Sequence, residues 1–296
     1  MLDTVGVIGL GIMGGAMARN LVAAGFRVIG CDISDTAKAA FVAEGGEVVR
    51  SPLDVGNCAQ IVILSLPGTA SLDEVVGGEA GLSRCQRSDL IGIEASTLPL
   101  DSKLRALETL KSSGQILLDC PVSGTGIQAR TKDLVVFGSG DETAFRLCQP
   151  VFEGMSRRQC YLGAFGNGSK MKYIANHLVT IHNVAAGEAI ALGLKAGLDP
   201  QSVYDVLSDS AGSSRMFQVR GPQMVVGRYD KPTTTIKIHL KDVGIINDFA
   251  AQLGMPVSLF SAAAQHYYAC LAQGRGDQDT ASVCAVSKGL AGISQV

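Results

Sequence analysis

The sequence predicts two regions of different class. An α/β domain spans residues 1–163, and an all-α C-terminal domain spans residues 164–296, the two joined by a long interdomain helix. Three observations predict this. Up to about residue 163, short apolar runs alternate with segments of helical periodicity, the pattern of a mostly parallel sheet covered on both faces. The first run, Val5-Gly6-Val7-Ile8, passes directly into Gly9-Leu10-Gly11-Ile12-Met13-Gly14 and then into an apolar helical stretch that ends near Gly25. Beyond Gly163 the alternation stops and helical spacing takes over.

The strand expectations in order are 5–9, 28–32, 61–66, 90–94, 116–119, 134–138 and about 159–162, with helices between them, for example over 35–44, 99–111 and 141–152. The run 61–66 is apolar enough for a strand buried on both sides. From 169 to 196 there is no proline, and Ile174, Leu178, Ile181 and Ala185 recur at helical spacing. A helix of that length is roughly 40 Å long at ~1.5 Å per residue, more than one small domain needs, so it reads as the connector and ends at Gly197. Its thin patch, Ala185-Ala186-Gly187, suits close approach of another helix, either from a second subunit or from ordinary core packing. Further helices are expected over 200–209, 214–226, 240–253 and 256–273, with Asp199-Pro200 and Pro256 as starts.

Composition narrows the function. A chain of 296 residues has room for two cores, and 47% hydrophobic with 18% charged residues is an ordinary globular balance. A net charge of −2, with no basic stripe, excludes a nucleic-acid partner. No run of 18 apolar residues is present to span a membrane, and the N-terminus opens on a strand rather than a signal segment. Eight cysteines stand at 31, 58, 85, 120, 148, 160, 270 and 284, no two within ten residues, and the four histidines also lack metal spacing. No metal site is expected, and the thiols read as reduced and mostly buried in a cytoplasmic protein.

The glycine turn carries the first chemistry. In such a strand–turn–helix unit, Gly9 permits the tight turn, Gly11 lets the backbone approach a pyrophosphate, and Gly14 lets helix and strand pack closely. Ile12 and Met13 begin the helix, whose N-terminus faces the negative charge. The unit closes on Asp32, 18 residues after Gly14. A carboxylate there accepts from two ribose hydroxyls and repels a 2′-phosphate. Ile33 and Ser34 follow with no arginine, so the expected cofactor is NAD, preferred over NADP. Three more segments fall at strand ends, the edge where open α/β sheets bind ligands: Leu66-Pro67-Gly68-Thr69, Ala95-Ser96-Thr97, and Asp119 through Gly126. Each is by itself a turn. Finally, Lys172 and Asn176 are four apart and share a helix face, whereas Lys170 points elsewhere. A lysine near a helix start is disfavoured by the helix dipole, and one beside an apolar interface can serve as an acid or base.

These motifs together resemble the β-hydroxyacid dehydrogenase family, which includes 3-hydroxyisobutyrate dehydrogenases and tartronate semialdehyde reductases. The opening signature runs from Val7 through Gly9-Leu10-Gly11-x-Met13-Gly14-x-x-Met17-Ala18-x-Asn20-Leu21. A substrate-loop signature falls on Asp119-x-Pro121-Val122-Ser123-Gly124, a catalytic signature on Gly166, Gly168, Lys172 and Asn176, and a late one on Lys241-Asp242. The resemblance covers essentially the whole chain. It implies a Rossmann domain, a helical substrate and dimerisation domain, an active site in the cleft between them, and a homodimer or homotetramer. It implies hydride transfer between NAD and a β-hydroxy acid, with Lys172 as general acid/base and Asn176 orienting substrate. Ser123 and the Gly124-Thr125 backbone would hold the substrate carboxylate. Thr97 and Lys241 would line the nicotinamide side, and Leu66-Pro67 would contact cofactor. Asp32 stands where NADP-using relatives carry Asn-Arg-Thr.

Three departures point to a small polar or sugar-acid substrate. Thr125 replaces the second glycine after the serine. Ala129-Arg130-Thr131-Lys132-Asp133-Leu134 stands where the family runs Ala-x-x-Gly-x-Leu, and Thr234 stands where an aromatic residue precedes the Lys-Asp pair by seven. Imine reductases and non-catalytic dinucleotide-binding modules share the architecture but generally lack the lysine. A decarboxylating 6-phosphogluconate-type enzyme is usually longer.

Overall fold

The computed structural model describes residues 4–293 of the chain. It divides into two compact units, Met1–Lys172 and Tyr173–Val296.

The first unit is α/β. Strands β1 (Thr4–Ile8), β2 (Arg27–Cys31), β3 (Glu47–Val48), β4 (Ile61–Leu64), β5 (Ile91–Glu94) and β6 (Ile116–Asp119) form one parallel sheet in the order β3-β2-β1-β4-β5-β6. Helices α1 (Ile12–Ala23), α2 (Asp35–Ala43), α3 (Pro52–Cys58), α4 (Thr69–Gly77) and α5 (Leu100–Ser112) connect these strands. In β4, Ile61 and Ile63 enter one apolar cluster with Val5, Val7, Met17 and Ile93, while Val62 and Leu64 enter another with Ile8, Ile29, Leu72 and Leu117. A sheet buried on both faces needs apolar residues at every position, which is why this run does not alternate.

The chain order reverses at β1 and β4, because β1 pairs with β2 on one side and β4 on the other. The crevice at the carboxyl ends of these two strands is the usual ligand position in such sheets. Gly9 and Ser65 follow those ends, and Gly9 N–H donates to Cys31 O while Ser65 N–H donates to Ile8 O.

The sheet ends earlier than the strand pattern suggests. The runs expected at 134–138 and 159–162 form a separate sheet, β7 (Val122–Ser123), β8 (Val135–Gly138) and β9 (Arg158–Tyr161), with β7 antiparallel to β8. Pro121 has no N–H and cannot extend the β6 ladder, so the chain turns there and the two sheets meet at the bridge Asp119↔Ser139. Between β7 and β8 lies α6 (Gly126–Arg130). The single helix expected over 141–152 is two, α7 (Glu142–Leu147) and α8 (Gln149–Met155), because Pro150 cannot donate within a continuous helix.

Helix α9 (Asn167–Lys195) starts in the first unit and runs through the second, close to the connector expected over 169–196. Its buried stripe differs from the expected one. Ile174 and Leu178 are about half exposed, whereas Tyr173, Val184, Ala186 and Ile190 are buried. The inward positions include polar residues that periodicity cannot credit: Thr180 Oγ1 lies 2.9 Å from His239 Nε2, and Asn183 donates to Tyr267 Oη.

The second unit continues with α10 (Pro200–Ser208), α11 (Arg215–Val226), α12 (Ile236–Gln252), α13 (Ser258–Ala272) and α14 (Val283–Leu290). Asp199 caps α10 as expected. Thr235 caps α12 and moves its start ahead of the expected residue 240, while α13 begins at Ser258, two residues past Pro256. Helix α14 was not foreseen, and it settles the thin patch on α9. A Cβ on Gly187 would lie 2.9 Å from Cys284 Cα, so the close neighbour there is the chain's own α14. No helix among the described residues is long and apolar enough to cross a membrane, and none of their His, Cys, Asp and Glu side chains form a metal-holding cluster.

All eight cysteines are free thiols. Burial raises Cys148 to about 12 and Cys270 to about 11, and raises Cys31, Cys120 and Cys284 as well. Thiolates do the attacking in alkylation. A thiol reagent at neutral pH should therefore label Cys58 and Cys160 rapidly in the native protein, with the other cysteines reacting on denaturation. Mass spectrometry of the labelled sites checks this, and rapid labelling of Cys120 or Cys148 would contradict the packing described.

Candidate active site

The glycine turn is built as a cradle. Gly9 has φ +89°, and a Cβ there would lie 2.2 Å from Ser65 O. A Cβ on Gly14 would lie 1.8 Å from Gly9 O, so only glycine lets the helix start this close to the strand. Gly11 meets nothing, its Cβ direction being open space. It caps α1 with no side-chain hydrogen bond and no acidic residue in the first turn. Ile12 and Met13 therefore open a helix whose first N–H groups have no side-chain cap and are of the kind that receives an anion. A dinucleotide pyrophosphate fits these residues.

Asp32 is fixed from two sides. Leu10 N–H donates to its Oδ2 at 2.6 Å, and Ser34 N–H to its Oδ1 at 2.7 Å. Each carboxylate oxygen can accept more than one hydrogen bond, so both retain capacity for ribose hydroxyls. Ile33, next along, is fully exposed, and Ser34 caps α2 by accepting from Ala37 N–H.

The other turns of this edge are tied together. Leu66 N–H donates to Ser96 Oγ at 2.8 Å, joining the Leu66-Pro67 turn to the Ser96-Thr97 turn. Leu66 and Thr97 are partly exposed, and Pro67 is exposed. Gly68 caps α4, again with no side-chain bond. Ser123 and Gly124 are partly exposed at the end of β7, and Gly124 has φ +145°.

Thr125 differs from expectation. It caps α6 in a capping box, accepting from Gln128 N–H while its own N–H donates to Gln128 Oε1 at 3.0 Å. Its backbone donor is thus already used and does not offer itself to a carboxylate. Gln128 in turn donates to Asp133, which pairs with Arg157 at 2.8 Å. The departure at Thr125 therefore serves its own loop, with Asp133 as the loop's anchor. In the second departure, Lys132 has φ +59°, at the position where the related motif carries glycine. A left-handed conformation costs a side-chain-bearing residue about 1–2 kcal/mol. Lys132→Gly should raise stability by about 1 kcal/mol, offset partly by glycine's greater unfolded entropy. Denaturant unfolding checks this, and a loss of stability would show that the lysine side chain outweighs its strain.

Lys172 is 8% exposed, and Asn176, one turn further along the same helix, is 7% exposed. The lysine is thus no solvated surface residue, whereas Lys170 is exposed and reaches Asn167 Oδ1. Asn176 Nδ2 donates to Asp242 Oδ2 at 2.8 Å, and Asp242 Oδ1 lies 3.0 Å from Lys241 Nζ. The late Lys-Asp pair and the asparagine thereby form one group in the second unit. Asp242 fixes the amide so that its carbonyl oxygen faces away from the carboxylate.

One further cluster joins residues that no local sequence pattern links. Lys103, on α5, is fully buried and ion-paired with Glu94 Oε2 at 2.5 Å and Asp119 Oδ1 at 2.9 Å, both carboxylates also fully buried. Burial works against the Lys103 charge, but Asp119 and Glu94 outweigh it and hold its pKa above the ordinary lysine range. Burial pushes Glu94 up. The signal available was Glu94 itself, a carboxylate closing the apolar run Ile91-Gly92-Ile93.

Residues 4–164 match the family model described as the NAD binding domain of 6-phosphogluconate dehydrogenase. Residues 166–287 match the one described as NAD-binding of NADP-dependent 3-hydroxyisobutyrate dehydrogenase. The chain is 33% identical over 291 residues to the L-threonate dehydrogenase of Cupriavidus necator, covering 98% of each. Among solved structures, 3-hydroxyisobutyrate dehydrogenase from Salmonella typhimurium superimposes with a TM-score of 0.87 at 29% identity, over 96% of this chain and 99% of that one. An imine reductase from Pseudomonas sp. shares the fold alone, with a TM-score of 0.64 at 19% identity over 96% and 98%.

Proposed function

The chain belongs to the β-hydroxyacid dehydrogenase family and binds a nicotinamide dinucleotide, and from this we propose that it is an NAD-dependent dehydrogenase of a small polyhydroxy acid of the threonate kind. The buried Lys172, with Asn176 one turn beyond it, carries the reading. In the oxidative direction the substrate hydroxyl proton passes to Lys172 Nζ as the carbon–hydrogen bond breaks; in reduction the same ammonium returns it. NAD, when bound, supplies the hydride acceptor, and the residues around it supply position and proton transfer. Asn176 orients the substrate hydroxyl, with Asp242 holding its amide in one orientation. The Ser123 hydroxyl and the Gly124 N–H hold the substrate carboxylate, and the capped Thr125 stiffens the loop beside them. Thr97 and Lys241 line the nicotinamide side, and Leu66 and Pro67 contact the cofactor.

Preference for NAD over NADP is supported by the fixed carboxylate of Asp32 and by the absence of an arginine at Ile33 or Ser34. A polar substrate is supported by the identity to an L-threonate dehydrogenase and by Thr234 in place of an aromatic residue. A steady-state panel with NAD and NADP tests both. A four-carbon polyhydroxy acid should exceed 3-hydroxyisobutyrate in kcat/KM at least about tenfold, the scale of one or two hydrogen bonds. Hydroxyisobutyrate outperforming every polyhydroxy acid would overturn the substrate assignment.

The same reading assigns residues 1–163 to dinucleotide binding and residues 164–296 to substrate binding and self-association, as a homodimer or homotetramer in the cytoplasm. The exposed Leu192, Leu259 and Leu290 of the second unit support self-association, and eight unpaired thiols support a reducing compartment.

A further inference from the structure

The buried Lys103 cluster does more than fill a core. Its bonds run, directly or through Ser96, to the ends of β4, β5 and β6, each of which carries a candidate site loop. Lys103 Nζ donates to Ser96 O at 2.7 Å, beside Thr97, and pairs with Glu94 at the end of β5. Glu94 Oε1 accepts from Ser96 N–H at 3.0 Å, and Ser96 Oγ accepts from Leu66 N–H after β4. Glu94 Oε2 meets the ammonium as an ion pair without hydrogen-bond alignment. On the other side Lys103 holds Asp119, the last residue of β6, from which the chain turns toward Ser123. Asp119 Oδ2 accepts from Ser169 N–H at 2.7 Å, and Asp119 Oδ1 from Ser169 Oγ at 2.7 Å. Ser139 Oγ donates to Asp119 O and receives Gly168 N–H at 2.9 Å. Ser169 lies on the first turn of α9, and Lys172 is three residues further on.

Residues that only fill space would serve here with apolar side chains, because a buried ion pair is often no more stabilising than a hydrophobic replacement. What apolar packing cannot supply is direction. Two carboxylates and one ammonium fix the register of three loops and a helix start through short, charge-assisted bonds. The fit is also tight in the backbone: a Cβ on Gly168 would lie 2.3 Å from Phe137 O and 2.6 Å from Asp119 O.

We propose that Lys103, with Glu94, Asp119 and Ser169, is a positioning network that sets the aim of Lys172 relative to the substrate loop and the nicotinamide-side turns. The inference rests on Lys172 being the acid/base. A displacement of about 1 Å in such a group costs on the order of 100-fold in rate, so small losses in the network should be visible in turnover.

Two variants leave the fold a route to stability. Ser169→Ala removes one bond to Asp119 and keeps the backbone bond. The double variant Glu94→Gln with Lys103→Gln removes one positive and one negative charge together and leaves Asp119 held by Ser169 and Ser139. Each is measured as folded protein for kcat, KM, the pH dependence of kcat and the dissociation constant for NADH by fluorescence. The expected result is a fall in kcat of about tenfold or more, a displaced pH profile, and NADH binding within about threefold of the parent. Unchanged kcat and pH profile per folded site, with only a lower melting temperature, would reduce the network to a brace and overturn the proposal. Lys172→Ala is run alongside. If it is inactive while both network variants are fully active, the positioning inference alone fails. If it stays active, the acid/base assignment fails and the inference falls with it.

Discussion

Replacing Lys172 by alanine should lower kcat about a thousandfold while leaving NADH binding within a few fold of the parent. Positioned general acid–base groups contribute roughly 10²- to 10⁴-fold, and no second amine stands ready on the same stretch of helix, since Lys170 is exposed and turned to Asn167. Cofactor binding is expected to survive because the glycine cradle and Asp32 follow the ends of β1 and β2, and Asp32 is held by Leu10 and Ser34 rather than by α9. Steady-state kinetics separate the two effects. Loss of kcat with intact binding assigns the residue to proton transfer, equal loss of both would make it a structural residue of the cofactor site, and unchanged turnover would remove it from the chemistry. Lys172→Arg should fare little better than alanine, because a guanidinium stays protonated and cannot accept the hydroxyl proton.

The second large effect is on cofactor choice. Asp32→Asn, Ile33→Arg and Ser34→Thr together should reverse the preference from NAD to NADP, with the ratio of their kcat/KM values changing by about 100-fold or more. Hydrogen bonds to charged groups are worth about 1.5–3 kcal/mol each, and in the proposed reading the Asp32 carboxylate would offer one oxygen to each of two ribose hydroxyls. Asparagine keeps an acceptor for Leu10 N–H, which Asp32 now holds at 2.6 Å, and threonine keeps the α2 cap that Ser34 provides. Ile33 is fully exposed, so an arginine there displaces no packing and can receive a 2′-phosphate. Parent enzyme that uses NADP as well as NAD would contradict the role given to Asp32. A triple variant that loses NAD without gaining NADP would show the carboxylate matters but the neighbouring position does not reach the phosphate.

What the sequence made legible is what it encodes over short spans. The glycine turn, Asp32, and the Lys172–Asn176 pair are local patterns whose geometry follows from a strand, a turn and a helix of known period. Strand β4 was readable because burial on both faces demands an unbroken apolar run. Features that depend on distant partners were not readable. Lys103 looks like one more charge on an amphipathic helix until Glu94 and Asp119 close around it. The second sheet follows from Pro121 ending one ladder and from β7 turning back on β8, a pairing no spacing announces. The apolar stripe of α9 is not its buried stripe, because Thr180 and Asn183 face inward with partners on other helices. Thr125 reads by type as a polar change toward substrate, yet its hydroxyl and N–H are committed to Gln128. For Lys103, Thr125, Thr180 and Asn183 the role of the polar group is set by the group it bonds and not by its type.

The most direct measurement follows the hydride itself. The polyhydroxy acid that turns over is prepared with deuterium on the carbon β to the carboxylate and incubated with NAD and excess enzyme, and the reduced cofactor is then analysed by mass spectrometry. Deuterium in the nicotinamide ring, with a slowed single-turnover rate that Lys172→Ala slows further, is the expected result. Reduced cofactor without deuterium, or oxidation of the acid with the label released to water, would contradict hydride transfer from a β-hydroxy acid as the work of this protein.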